Sequence, residues 1–140
     1  MHGIPILSKS KKQTINVRST TGAELLALAE CIPNVIWVQN VLSELGFDYQ
    51  PTIYVDNSPM VDIITNGGKL SSTTKHLMQR LYFVQDYYNN GYFKLKRIPT
   101  DANIADIFTK PLTRQPFLQH RQRLLTDIVD SVKAEAPMMN

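Results

Sequence analysis

The sequence predicts an α/β domain, α+β under some schemes, in which short strands alternate with helices. Three observations carry that expectation. Thr14–Arg18 (TINVR) alternates polar and apolar side chains, the two-residue period of a half-buried strand. Thr21 followed three residues later by Glu24 is a capping-box pattern that should open a helix. Thr52–Val55 is a short apolar run that ends abruptly in Asp56-Asn57, then Ser58-Pro59, as a strand feeding a helix would.

The remaining elements follow in order. Ile4–Leu7 could be an additional strand ahead of Thr14–Arg18. In the first helix Leu25, Leu28, Ala29 and Ile32 keep one face apolar. Pro33 should kink or split it, because proline removes an internal hydrogen bond. The pattern resumes through Val35, Val38, Leu42 and Leu45 up to Gly46, a suitable C-terminal cap. After Thr52–Val55, Ser58 should cap a helix with Pro59 in its first turn, running to about Thr65 and stopping at Gly67-Gly68. Residues 69–73 should form a loop, 74–88 a helix and 92–98 a strand carrying Lys94, Lys96 and Arg97. A short helix is expected over 103–109, ended by Pro111, then a last helix over about 116–132 and a frayed tail. Trp37 and Phe83 read as core residues.

Composition bounds the function. A chain of 140 residues can bury a real core, and 43% hydrophobic content is that of a globular protein. No stretch approaches the roughly 20 consecutive apolar residues of a bilayer span, and the start, MHGIPILSKSKK, lacks the apolar core of a signal peptide. The single cysteine, Cys31, cannot form an internal disulfide, fits a reducing compartment and reads as inert packing in an apolar run. No His and Cys cluster has zinc spacing. The formal charge of +3 is modest, but basic residues cluster at Lys9, Lys11, Lys12 and Arg18, at Lys94, Lys96 and Arg97, and at Lys110, Arg114, Arg121 and Arg123. Such clusters suit phosphate contacts. On charge alone the better reading is an ordinary solvated surface.

Three acids sit where elements begin or end: Glu24, Asp56 and Asp106. Taken singly, each has an ordinary structural explanation. Glu24 can be half of a capping box, Asp56 part of an Asx turn, and Asp106 a solvated helix residue.

Five stretches taken together change that weighting: SKSKKQTINVRSTTGAELLALAE, IWVQNVLSELGF, IYVDN, TTKH and IPTDANIADIFTKPL. In these the chain resembles the ribonuclease H domain at the C-terminal end of the polyprotein of copia-type LTR retrotransposons, from about Ile6 to Leu125. The last stretch is the most specific. The resemblance implies a ribonuclease H-like mixed sheet with flanking helices over residues 1–125, followed by a helix end and frayed tail over 126–140. It places Glu24, Asp56 and Asp106 on catalytic, metal-binding acids. It implies hydrolysis of the RNA strand of an RNA–DNA hybrid with two Mg²⁺ (or Mn²⁺) ions roughly 3.5–4 Å apart. The three acids are then expected to converge, with Asp56 at the C-terminal end of its strand. Lys11, Lys12, Asn57, His76 and Lys110 fall near the family's substrate-handling positions, although a packing role is the better reading of His76 at the helix N-terminus and Met78 stands where the family usually has an acid.

The family's sheet has the order 3-2-1-4-5, and its first catalytic acid lies on strand one. The match begins after the first two strands, and Glu24 is the first acid in the chain. The expectation is therefore a sheet lacking those strands, with the strands around Ile53 and Leu95 paired and the one around Ile15 two places away. Cleavage by the chain alone should be weak or absent. The expected partners are an RNA–DNA hybrid and an upstream reverse transcriptase region supplying the missing strands, with no membrane, in the cytoplasm where the family works, or in the nucleus. A non-catalytic nucleic-acid-binding relic and a degenerate product without function are the competing readings.

Overall fold

Helix α1 (Thr20–Glu44) is the longest element and organises the larger of two compact units. The computed structural model describes residues 6–10, 19–70 and 75–134, with backbone alone over 126–134. One unit is Gln13–Thr100; the other joins Met1–Lys12 to Asp101–Asn140. Helices mix with a small parallel sheet, consistent with the predicted α/β class. The expected strand at Thr14–Arg18 lies outside the described residues. Ile6 and Leu7, the described half of the expected Ile4–Leu7 strand, are exposed and form no strand.

The N-cap of α1 is Ser19, not Thr21. Ser19 is extended (φ −131°, ψ 147°), and its hydroxyl accepts from Gly22 N–H at 3.1 Å. The cap thus lies two residues before the predicted one, so Thr20 and Thr21 are already helical. The third helical position is then Gly22, and Glu24 lies two residues beyond where a capping box would need it.

Nor does Pro33 split the helix, which runs unbroken from Thr20 to Glu44. Proline inside a helix costs about 3 kcal/mol. Against that, Leu25, Leu26, Leu28, Ala29 and Ile32 are buried on its N-terminal side and Ile36 packs against the core on the other. Each large apolar side chain contributes roughly 1.5–3 kcal/mol, so tertiary packing outweighs the local defect. Beyond Ile32 no residue of α1 is fully buried. Trp37, expected in the core, is 63% exposed for that reason. By length and composition alone α1 could cross a bilayer, yet its first half is packed against α2 (Ser58–Thr65) and α3 (Lys75–Asn89) as a core helix. The helix ends as predicted: Gly46 (φ +84°) donates to Ser43 C=O at 3.0 Å and Phe47 N–H to Leu42 C=O at 2.9 Å. This is a Schellman motif, which requires the left-handed backbone glycine adopts without strain.

Strand β1 (Thr52–Val55) has the predicted bounds and pairs in parallel with β2 (Lys94–Arg97), Tyr54 opposite Lys96 and Thr52 opposite Lys94. This is the pairing expected of the strands around Ile53 and Leu95. β2 is shorter than the predicted 92–98 because the N–H of Tyr92 is already spent on Tyr87 C=O at the end of α3 (3.1 Å). The cap of α2 is Asn57, one residue before the predicted Ser58: its Oδ1 accepts from Met60 N–H at 3.0 Å.

The core joins these elements through Leu25, Ile32, Val55, Met60, Ile64, Leu81, Val84 and Phe93. Phe83 is partly buried at its edge, tilted against Tyr87. Gln85 is the polar residue of this interior: its amide donates to Ile63 C=O (3.0 Å) and Gly68 C=O (3.1 Å), satisfying carbonyls at the end of α2. Gln85→Leu is expected to lower stability by about 1 kcal/mol, because it takes the amide donor from the part-buried Gly68 carbonyl, whereas Ile63 C=O keeps the Gly68 N–H at 2.8 Å. Urea unfolding should show this as a lower midpoint at constant slope.

The predicted 103–109 helix shortens to α4 (Asp106–Thr109) in the other unit, and a break separates it from a preceding 3-10 turn (Thr100–Ala102). Asn103 causes the break: its Oδ1 accepts from Ala105 N–H at 3.2 Å, a local turn that competes with helix. Helix α5 (Arg114–Ala134) follows and packs on α4. The predicted frayed tail lies, after Ala134, outside the described residues.

Candidate functional site

Asp56 is the first residue after β1 and is partly buried in the bend that leads into α2. It therefore stands at the carboxyl end of a strand in a parallel pair. In open α/β sheets that end is where ligands bind, because the strand-to-helix loops there are free of the ladder. β1 sets the position through its pairing with β2, and Asn57 holds the following helix start in place. Asn57 Oδ1 is committed to that cap, which leaves its amide nitrogen as the group a substrate could meet.

Glu24 is half-buried on the first turns of α1. Because Ser19 is the cap, the capping-box explanation for Glu24 no longer applies. Both Glu24 and Asp56 have interaction partners in the folded chain.

Asp106 belongs to the other unit and is the least exposed of the three acids, at 6%. Its Oδ2 accepts from Lys110 Nζ at 2.8 Å, one helical turn on. A solvated helix residue was the ordinary explanation for Asp106, and its burial removes it. Lys110 stays about half exposed and is occupied by the carboxylate, so Lys110→Met is expected to cost about 1–2 kcal/mol, less than a fully buried pair would. Thermal melts of the two proteins would show it.

Among the described residues no three His, Cys, Asp or Glu side chains form a group able to hold a metal ion. The described residues do not by themselves amount to a divalent-metal site. His76 is exposed on α3 and lines a cleft of about 270 Å³ with Leu26, Gln79, Arg80 and Phe83. Lys11 and Lys12 lie outside the described residues.

Two features escaped the sequence reading. His120 on α5 is 3% exposed, and its Nδ1 is buried without a hydrogen-bond partner. Its four-residue spacing from the partly buried Pro116 and Leu124 on the helix could have marked it as inward-facing. Cys31 is partly open to solvent rather than packed inside, although the protein around the thiol desolvates it enough to raise its pKa. A thiol held in its protonated form is a poor nucleophile, which agrees with the expectation of an inert cysteine.

Comparison with known proteins bears on the origin of the chain. It is 31% identical over 122 residues to the Retrovirus-related Pol polyprotein from transposon RE2 of Arabidopsis thaliana, covering 86% of this chain and 8% of that protein. It is 31% identical over 110 residues to the Retrovirus-related Pol polyprotein from transposon TNT 1-94 of Nicotiana tabacum, covering 78% and 8%. Its homologues are retrotransposon Pol polyproteins. The likeness extends to the Transposon Ty1-JR2 Gag-Pol polyprotein of Saccharomyces cerevisiae, at 27% over 120 residues, covering 84% of this chain and 7% of that protein. The chain thus matches less than a tenth of the length of these Pol polyproteins. No family model matches, and no solved structure matches.

Proposed function

We propose that this retrotransposon-derived chain is a ribonuclease H-type segment, whose role is hydrolysis of the RNA strand of RNA–DNA hybrids during reverse transcription. The observation that carries the reading is Asp56, a carboxylate set at the carboxyl end of a parallel strand within the motif IYVDN. Glu24 and Asp106 are its proposed catalytic companions; neither is accounted for by the surface or capping role its sequence position allowed. The reading calls for Mg²⁺ or Mn²⁺, with these three acids as candidate ligands. It also calls for a fuller donor set than the described residues bring together. What the chain's own residues supply is negative charge at fixed backbone positions, and, at Asn57, His76, Lys11, Lys12 and Lys110, proposed contacts to the substrate.

A neighbouring part of a longer polyprotein, of reverse transcriptase type, is the proposed protein partner. The C-terminal half of α1 and its cap residue leave Trp37, Val41 and Leu45 exposed at a spacing of four residues, an apolar stripe suited to another polypeptide surface. The cytoplasm is the proposed compartment. The test is cleavage of a labelled RNA–DNA hybrid with Mg²⁺ or Mn²⁺, by this chain and by this chain joined to the segment that precedes the match in the tobacco polyprotein. Metal-dependent cleavage by the joined protein is expected, and cleavage by neither would overturn the reading.

The absence of a three-residue metal group among the described residues favours, as a second reading, a nucleic-acid-binding relic without catalysis. It predicts hybrid binding that weakens steeply with salt, since phosphate contacts release counterions. Fluorescence anisotropy would follow this, and a flat salt response would exclude it.

A further inference from the structure

The two-stranded sheet has one face turned to the core and one turned to solvent. Ile53, Val55 and Leu95 pack inward. The alternation of strand side chains then sends Tyr54, Lys94 and Lys96 to the opposite face. The accessibility agrees: Tyr54 is 57% exposed, and Lys94 and Lys96 are both exposed. The parallel register sets Tyr54 directly beside Lys96, about 4.8 Å away across the ladder, with Lys94 about 6.6 Å along the strand from Lys96. No acid lies on either strand. Among the described residues the two lysines form no ion pair and the Tyr54 ring no stacking contact.

An exposed aromatic ring flanked by unpaired cations is chemically specific in what it can take. The ring offers a flat apolar face, and the ammonium groups offer charge at a spacing the ladder fixes. A single-stranded polynucleotide satisfies both, with a base on the ring and phosphates on the lysines. A duplex satisfies only the charge, because its bases are already stacked. We propose that the outer face of the β1–β2 sheet is a binding platform for single-stranded nucleic acid, with Tyr54 as the stacking residue and Lys94 and Lys96 as the phosphate contacts. The proposal rests on the reading of the chain as a nucleic-acid-handling protein and adds a contact remote in kind from the carboxylates, needing no metal.

The experiment is fluorescence anisotropy of labelled oligodeoxythymidylate with the full chain in EDTA, so that catalysis plays no part. Tyr54→Ala should weaken binding roughly tenfold, and Tyr54→Phe, which keeps the ring, should stay within about twofold. Lys94→Glu/Lys96→Glu should weaken binding further and flatten the log–log salt slope by about 1.4, two contacts at about 0.7 each. Lys69→Glu, an exposed charge elsewhere, is the control for bulk electrostatics. Circular dichroism confirms that each variant is folded. Binding by Tyr54→Ala equal to the unaltered chain overturns the platform, as does equal weakening by Lys69→Glu, as does no binding at low salt. Failure here leaves hybrid cleavage by the joined protein unaffected, and failure of that cleavage leaves this binding unaffected, so the two ideas fall separately.

Discussion

Asp56→Asn, made in the chain joined to its preceding polyprotein segment, is expected to reduce metal-dependent hybrid cleavage by at least about a hundredfold while leaving stability nearly unchanged. The two halves of that expectation have different physical origins. Asparagine has the size and shape of aspartate, tolerates the same turn backbone and can still accept a hydrogen bond through its carbonyl. If Asp56 merely shaped the bend between β1 and α2, the substitution would be close to silent in every assay. What asparagine lacks is the negative charge. A hard divalent cation prefers anionic oxygen ligands, and a misplacement of reacting groups by about 1 Å already costs on the order of a hundredfold. Loss of cleavage with an unchanged melting temperature would therefore assign Asp56 a chemical role and not an architectural one. Cleavage at the unaltered rate would remove Asp56 from the site.

Leu81→Ala should be the most destabilising of the substitutions considered, at about 2–5 kcal/mol. Leu81 is 1% exposed on α3, in the cluster that also holds Ile32 and Val84. Removing its isobutyl group forfeits burial and leaves a cavity that two packed helices cannot close without shifting. Whole domains are stable by only about 5–15 kcal/mol, so this one residue decides a large share of the fold. Trp37→Gln is the counterpart. The larger side chain is lost, yet stability should change by no more than about 0.5 kcal/mol, because Trp37 is mostly in water already. Urea unfolding of the two variants side by side tests the arrangement. A larger loss for Trp37→Gln than for Leu81→Ala would mean that the C-terminal half of α1 is buried in solution.

What the sequence by itself determined is local. The run Thr52–Val55, the glycine ends of the helices at Gly46 and Gly67, and the apolar face Leu25, Leu28, Ala29 and Ile32 were all legible, because a strand period, a left-handed cap and a helical stripe are written in adjacent residues. The starts of α1 and α2 were legible to within two residues, since Ser19 and Thr21, or Asn57 and Ser58, are chemically equivalent caps and only the backbone chooses between them. The acids Glu24, Asp56 and Asp106 could be singled out only through motif resemblance, because their separation along the chain carries no geometry. Tertiary structure decided the rest. It carried α1 through Pro33, because burial on either side outweighs one missing hydrogen bond, and it left Trp37 outside, because the packing partners of α1 end before it. It buried Asp106 and brought Tyr54 beside Lys96 from forty-two positions away in the chain. Contacts of that kind depend on which surfaces meet, and sequence periodicity reports only that a surface exists.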